Sequence, residues 1–239
     1  MLRAVGASVT GPGHLVRGED CQDAHSVRGW RGGWIVAVAD GLGSRTHAAR
    51  GARVAVQSAQ AVVRGWRRDA AWHDRPARDV AAEIHRRWTR AIPWHDKSLA
   101  ATTLLLAICD ARGRARVWQI GDGLIVGVVN GTVRVLTPAR PGFGNETRAL
   151  GVDKAWSAWQ SAELVLSAPQ DMLLLMTDGI ADDIAPGLIP GFASAVRSAL
   201  GKRSRRGARE WLRRELTHWA TPAHLDDKTL AAIFLDKTT

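Results

Sequence analysis

The sequence predicts an α+β fold, an antiparallel sheet sandwich with helices on its outside. Three observations carry this. Apolar runs rich in β-branched residues come in blocks joined by short turns, instead of alternating one by one with helices. Two pairs of segments, 46–67 with 76–92 and 188–200 with 207–219, read as helices. The turns Asp110-Ala-Arg-Gly113 and Asn130-Gly131 separate successive apolar runs, and Asn-Gly is a strong hairpin signal.

Residues 3–9 read as an opening strand, followed by a loop at Gly11-Pro12-Gly13-His14. Residues 34–39 are a short apolar run with Ile35, Val36 and Val38, bounded by Gly32-Gly33 and by glycines 41 and 43, which predicts a buried strand ending at Asp40. In 46–67, Ala, Val and Trp recur at three and four with arginines between them, an amphipathic helix. Pro76 suits the first turn of the next helix. Four strands follow, at 102–110, 115–120, 124–129 and 132–136. Residues 137–150, with Pro138, Pro141, Gly142 and Gly144, predict a mobile loop. Strands at 162–166 and 172–177, the second helical pair and a closing strand at 228–234 complete the chain. No repeat or linker interrupts it, so residues 1–239 are expected to form a single domain.

Composition narrows the class. Hydrophobic content of 46% with 23% charged residues is that of a soluble globular chain. No apolar run reaches the roughly 18–20 residues a membrane span needs, and no signal-peptide pattern opens the chain. Cys21 and Cys109 give neither a disulfide framework nor a zinc spacing. A monomeric cytoplasmic protein without membrane attachment is the expectation. The net charge of +10 favours anionic partners, but the arginines of 64–90 and 202–214 alternate with Ala, Trp and Leu at helical spacing, as on a solvated helix face. Nucleic acid is accordingly a weak candidate partner, supported by charge alone.

The chemistry is carried by acids at strand ends. An apolar strand that ends in a carboxylate needs a partner for it, and for Asp40 that partner is either a hard cation such as Mg²⁺ or Mn²⁺ or the start of the helix near Ser44, which Asp40 would cap. The pattern recurs at 172–177, ending in Asp178-Gly179-Ile180. Asp23 and the pair Asp226-Asp227 are two further acidic sites, and four separated acids at strand ends point to a metal cluster assembled by the whole fold.

Read in order, Cys21-Gln-Asp-Ala24, Val38-Ala-Asp-Gly-Leu-Gly-Ser44, Thr102-Thr-Leu104, Gly121-Asp-Gly123, Asn145-Glu-Thr147, Thr177-Asp-Gly-Ile180 and Asp226-Asp-Lys-Thr229 resemble the motifs of the metal-dependent type 2C serine/threonine protein phosphatases, in their compact bacterial branch. The resemblance spans nearly the whole chain. It implies a four-layer αββα sandwich, two antiparallel sheets each covered by a helical pair, with two Mn²⁺ or Mg²⁺ ions at one edge. It further implies that Asp40 bridges both ions, that the Gly41 carbonyl joins one site, that Asp178 and Asp226 complete the other, and that Asp23 holds metal-bound waters. The implied reaction is hydrolysis of phosphoserine and phosphothreonine in proteins by water, and the implied partners are phosphorylated proteins, including a cognate serine/threonine kinase.

The sequence departs from this pattern at four points. Many members carry a phosphate-binding Arg five residues before the Asp matching Asp23; here Gly18 holds that place and Arg17 stands one residue further off. Leu42 replaces a His implicated as general acid; His14 and His47 are the candidates to serve instead, each equally readable as an ordinary histidine. Ser98 replaces the Asp of a third metal site, with Asp96 two residues away. Gly121-Asp122-Gly123 stands for the usual Gly-Asp-Ser, and Asp122 reads as structural. Leu42 and the shifted Arg17 favour, as a rival, a catalytically weak phosphoprotein-binding module of the same fold. A Ser-His-Asp hydrolase is disfavoured because no Gly-x-Ser-x-Gly occurs, and no phosphate loop of the nucleoside-triphosphatase kind is present.

Overall fold

The computed structural model describes residues 1–66, 69, 71–137, 148–219 and 225–236. Two five-stranded antiparallel sheets stack face to face. The first is ordered β1 (Leu2–Val9), β10 (Lys228–Leu235), β9 (Met172–Met176), β6 (Leu124–Val129) and β7 (Thr132–Val135). The second is ordered β2 (Asp23–Trp30), β3 (Gly33–Asp40), β4 (Leu104–Cys109), β5 (Arg114–Ile120) and β8 (Gln160–Val165).

The strands are apolar on both faces because both faces are covered. In β3, Val36 and Val38 point into the core between the sheets, where they meet Leu173 and Leu175 of β9 and Ala231 and Ile233 of β10. Ile35, Ala37 and Ala39 point the other way, onto α2 (Ala48–Gly65) and α3 (Ala77–Ala91). On the far side, α5 (Ile189–Gly201) and α6 (Arg205–Thr217) cover the first sheet through Ala193, Val196, Leu200, Leu212 and Leu216. The layers therefore run helices, sheet, sheet, helices, as the resemblance implies. Cys109 sits in the inter-sheet core, where burial pushes its thiol up to about 12.

Tryptophan is distributed unevenly over these layers. Trp30, Trp66, Trp72, Trp88, Trp118 and Trp159 are buried beneath α2 and α3, with Trp94 and Trp156 packed against them. Trp34 lies against the inter-sheet core, and only Trp211 and Trp219 serve the α5–α6 side.

The structure departs from the sequence reading at several points, one of them β2, which no expected strand covers. The segment expected as a loop at Gly11 to His14 is the start of a short helix, α1 (Pro12–Arg17): Pro12 fits its first turn and Gly18, at φ +67°, ends it in the left-handed conformation. A one-turn helix, α4 (Asp178–Ala181), follows β9 directly. The strand expected from residue 102 begins at Leu104, because Thr102 is diverted into isolated bridges to Gly41 and Leu150. Most of the loop expected at 137–150, with the Asn145-Glu-Thr147 motif, lies outside the described residues.

Candidate metal centre

The acids converge because the sheets end together. Asp23 opens β2 and Asp40 closes β3, and the two stand directly opposite each other in the antiparallel ladder. Their side chains lie within hydrogen-bonding reach of one another. Asp40 is fixed through its backbone: its N–H donates to Thr103 Oγ1 at 2.9 Å, and its carbonyl accepts from Thr102 Oγ1 at 2.7 Å and from the Thr103 N–H at 2.8 Å. It caps no helix. α2 starts eight residues later, with His47 at its N-cap and no side-chain cap, which removes the capping alternative.

Across the sandwich, β9 delivers Thr177 and Asp178, and β10 is preceded by Asp226 and Asp227. Thr177 Oγ1 donates to Asp23 Oδ2 at 3.0 Å, linking the two sheets at their common edge. The Asp178 carboxylate accepts from the Gly179 N–H at 2.7 Å. Both Asp-Gly glycines are needed for close approach: a Cβ on Gly41 would lie 2.5 Å from the Ala48 backbone, and one on Gly179 would run into the Asp227 carbonyl.

Electrostatics shows how crowded the cluster is. Burial and the Asp227 charge push Asp23 up to about 7, against hydrogen bonds from Thr229, Asp40 and Thr177. Burial, followed by the charges of Asp23, Asp178 and Asp226, raises Asp40 well above the usual carboxylate range. Burial and the charges of Asp122 and Asp226 push Asp178 up to about 6. Mutual repulsion of this kind is what a cation relieves. One Asp23 oxygen, Oδ1, is enclosed without a hydrogen-bond donor. Clustered carboxylates, raised by burial and like charge and with one oxygen orphaned, fit a hard divalent cation.

Asp226 and Asp227 divide the work between them. Asp226 is exposed, and its charge reaches both Asp40 and Asp178. Asp227 is buried and ties together three segments: it accepts from the Gly11 N–H at 2.7 Å and the Gln22 N–H at 2.6 Å, and His14 Nδ1 approaches it at 2.9 Å. That last contact is a close approach of charge and ring without the alignment of a hydrogen bond. His14, Asp226 and Asp227 together place ligand atoms within 4.8 Å of one another.

The remaining candidates sit as follows. His14 is buried on α1 beside Asp227, at the edge of the cluster. Arg17 ends α1, half exposed, with its guanidinium 2.9 Å from Glu19. His47 stacks on Trp94 at 3.6 Å between ring centroids, which occupies its face. The Leu42 N–H donates to the Ala101 carbonyl. Asp96 accepts from the Ser98 N–H as the cap of a short turn. The sequence reading named Asp227, Thr177 and Thr229 in its motifs without giving them roles of their own; Asp122, read as structural, adds its charge to those that raise Asp178. A signal for the threonines exists: Thr177 precedes one motif Asp, and Thr229 closes the Asp-Asp-Lys-Thr run.

Comparison with known proteins bears on the family and the fold. The family model described as protein phosphatase 2C matches residues 10–217. A comparison with curated proteins gives no match. The fold is similar to that of the serine/threonine phosphatase of S. agalactiae (TM-score 0.70, 15% identity, 99% of this chain and 100% of that one). It is also similar to the Mycobacterium tuberculosis serine/threonine phosphatase PstP/Ppp (TM-score 0.66, 21% identity, 98% and 99%). A third similar structure is the catalytic domain of the serine/threonine protein phosphatase PstP in complex with two manganese ions (TM-score 0.62, 22% identity, 98% and 99%). With its motifs, its two five-stranded sheets and a family match over most of its length, this chain belongs to the protein phosphatase 2C family.

Proposed function

We propose that this protein hydrolyses phosphoserine and phosphothreonine in proteins, using two Mn²⁺ or Mg²⁺ ions. The observation that carries the reading is the convergence of Asp23, Asp40, Asp178 and Asp226 from four separate segments at one edge of the sandwich, where burial and mutual charge raise three of them. Asp40, the Gly41 carbonyl, Asp178 and Asp226 would hold the ions, with Asp23 supporting bound water. When bound, such ions lower the pKa of water to make a nucleophile and neutralise phosphoryl charge.

The chain's own residues set the rest. Thr102 and Thr103 fix the backbone of Asp40, so that its carboxylate is presented without reorganisation. Thr177 and Thr229 orient Asp23 through hydrogen bonds that favour its charged form. Asp227 anchors α1 against the start of β2, which holds His14 beside the cluster. His14 would give a proton to the departing alkoxide, and Arg17, freed from Glu19, would clamp the phosphate with two parallel hydrogen bonds. The physiological partners would be phosphorylated proteins, among them a serine/threonine kinase, acting with a monomeric phosphatase in the cytoplasm. No helix among the described residues is long and apolar enough to cross a membrane.

The test is hydrolysis of a phosphothreonine peptide with Mn²⁺, with Mg²⁺ and after exhaustive chelation. Turnover with either ion and its loss on chelation is expected. Turnover that survives chelation removes the two-ion reading, and binding of the phosphopeptide without turnover makes the chain a phosphoprotein-binding module.

A further inference from the structure

A groove of about 660 Å³ leads away from Asp23. One wall is β2, the terminal strand of its sheet, which contributes Asp23, Ala24, His25, Ser26 and Arg28. Successive residues of a strand point to opposite faces. A surface that touches four in a row therefore follows the strand's open edge, with its backbone N–H and C=O groups, rather than either face. The other wall is one side of α2: Arg53, Val56, Gln57 and Gln60 stand at helical spacings of three and four.

Much of the lining is already committed. His25 Nδ1 is 2.8 Å from Ser8 Oγ, and Gln60 is bonded to Ser26. Arg28, Arg53 and Gln57 are exposed, and the two arginines make no hydrogen bond or ion pair among the described residues. Asp20 and Asp23, the acids of the lining, are close in sequence at the cluster end. The groove thus runs from acids beside the candidate metal centre to a free pair of guanidinium groups. Burial, followed by the charge of Arg209 on α6, lowers the pKa of His25.

We propose that this groove is a subsite for the substrate chain itself: an extended phosphopeptide lies along the edge of β2, its phosphoresidue at the Asp23 end and acidic side chains against Arg28 and Arg53. The inference rests on the phosphatase reading above and adds a sequence preference to it. Backbone pairing to an open strand edge gives affinity without sequence, and the arginines supply the selection. A strand advances about 3.3 Å per residue, so the five steps from Asp23 to Arg28 span roughly 16 Å. Selection falls four to six residues from the phosphoresidue, on one side of it.

The experiment compares phosphothreonine peptides carrying Glu, Ala or Lys at four to six residues before, or after, the phosphothreonine, with Mn²⁺ and at low salt. For Glu over Lys on one side, kcat/KM is expected to rise about three- to tenfold, mostly through KM, as two exposed ion pairs allow. In the double variant Arg28→Glu with Arg53→Glu the preference reverses, so that the Lys peptide becomes the better substrate. Reversal is a gain that a misfolded variant cannot mimic. Equal kcat/KM for all peptides, in a preparation that hydrolyses p-nitrophenyl phosphate with Mn²⁺, overturns the groove and leaves the phosphatase reading standing. No hydrolysis of any substrate with either ion overturns both. A preference that persists unchanged in the double variant also overturns the assignment to Arg28 and Arg53.

Discussion

Asp23 and Asp40 are paired residues of one antiparallel ladder, held opposite each other by the β2–β3 register with their carboxyls in mutual reach. Like charges fixed so close destabilise the fold unless a proton or a cation lies between them. Asp40→Asn removes that repulsion while keeping size. Calorimetry is expected to show loss of Mn²⁺ binding, and phosphopeptide turnover should fall by orders of magnitude. The melting temperature in chelator should stay level or rise. Normal binding of two Mn²⁺ by the variant would sink the assignment.

Burial of these acids, with the charge of their neighbours added, sets a pH dependence. Asp23 at about 7 and Asp178 at about 6 both titrate above an unfolded carboxylate near 3.9. A carboxyl whose folded pKa is raised holds its proton more tightly in the native state, so stability is highest below the unfolded pKa. It falls as pH rises from about 4 through 7, and levels off above. The metal-free protein is expected to lose on the order of 5 kcal/mol over that window, or ~10–20 °C in Tm, from these groups. Saturating Mn²⁺ should flatten the curve. A metal-free Tm that climbs from pH 5 to pH 8 would contradict the cluster's electrostatics.

The adjacent acids Asp226 and Asp227 should separate cleanly. Asp227 takes N–H bonds from Gly11 and Gln22 on its two oxygens, so Asp227→Asn turns an amide NH₂ toward a donor. A loss of about 1–3 kcal/mol in urea unfolding is expected. Asp226→Asn, at an exposed position, should leave the unfolding midpoint within about 0.5 kcal/mol and weaken Mn²⁺ binding instead. The opposite pattern would exchange the two roles.

Arg17→Lys keeps the charge and loses the two-pronged geometry. If Arg17 leaves Glu19 to hold phosphate, KM for the phosphopeptide should rise several-fold with Mn²⁺ binding unchanged. An unchanged KM would leave Arg17 as the ion-pair partner of Glu19 and nothing more.

The glycine after Asp178 offers a structural check on the site. Gly179→Ala places a methyl against the Asp227 carbonyl, which is backbone and cannot swing aside. A cost of about 1–3 kcal/mol is expected, with weaker Mn²⁺ binding as α4 shifts. A variant as stable as the parent would show that the β9–α4 turn yields more than its packing suggests.

Much of this was legible in the chain because the strands are short, apolar and stopped by Asp-Gly. Residues 34–39 and 172–177 announce two strand ends, and only a cation or a cap explains the acids that follow. The four layers were legible less directly. An apolar run reads the same whether a helix or a second sheet covers it, so the layering came from the ordered motifs. Local chemistry misled at Gly11 to His14, where two glycines and a proline suggest a loop. There the Asp227 carboxylate and the Leu225 carbonyl, both distant in sequence, hold the N–H groups of Gly11 and Gly13 and support a helix. The division between Asp226 and Asp227 was hidden for the same reason. Two identical side chains in succession differ only in which way the backbone turns them.

The crowding of tryptophan beneath α2 and α3 has a spectroscopic consequence. Eight of the eleven indoles lie in or against that layer, and Trp30 meets Trp72 edge to face at 4.8 Å. Intrinsic emission from this protein is therefore a reading of one half of the sandwich. Opening of the α5–α6 half would disturb Trp211, Trp219 and Trp34, over whose ring Arg205 of α6 lies, and leave most of the signal in place. Far-ultraviolet dichroism, which counts the helices on both sides, would register that event first. Where the two signals part during denaturation, the halves are melting in sequence, and the indole curve belongs to the half that carries β2, β3 and the backbone of Asp40.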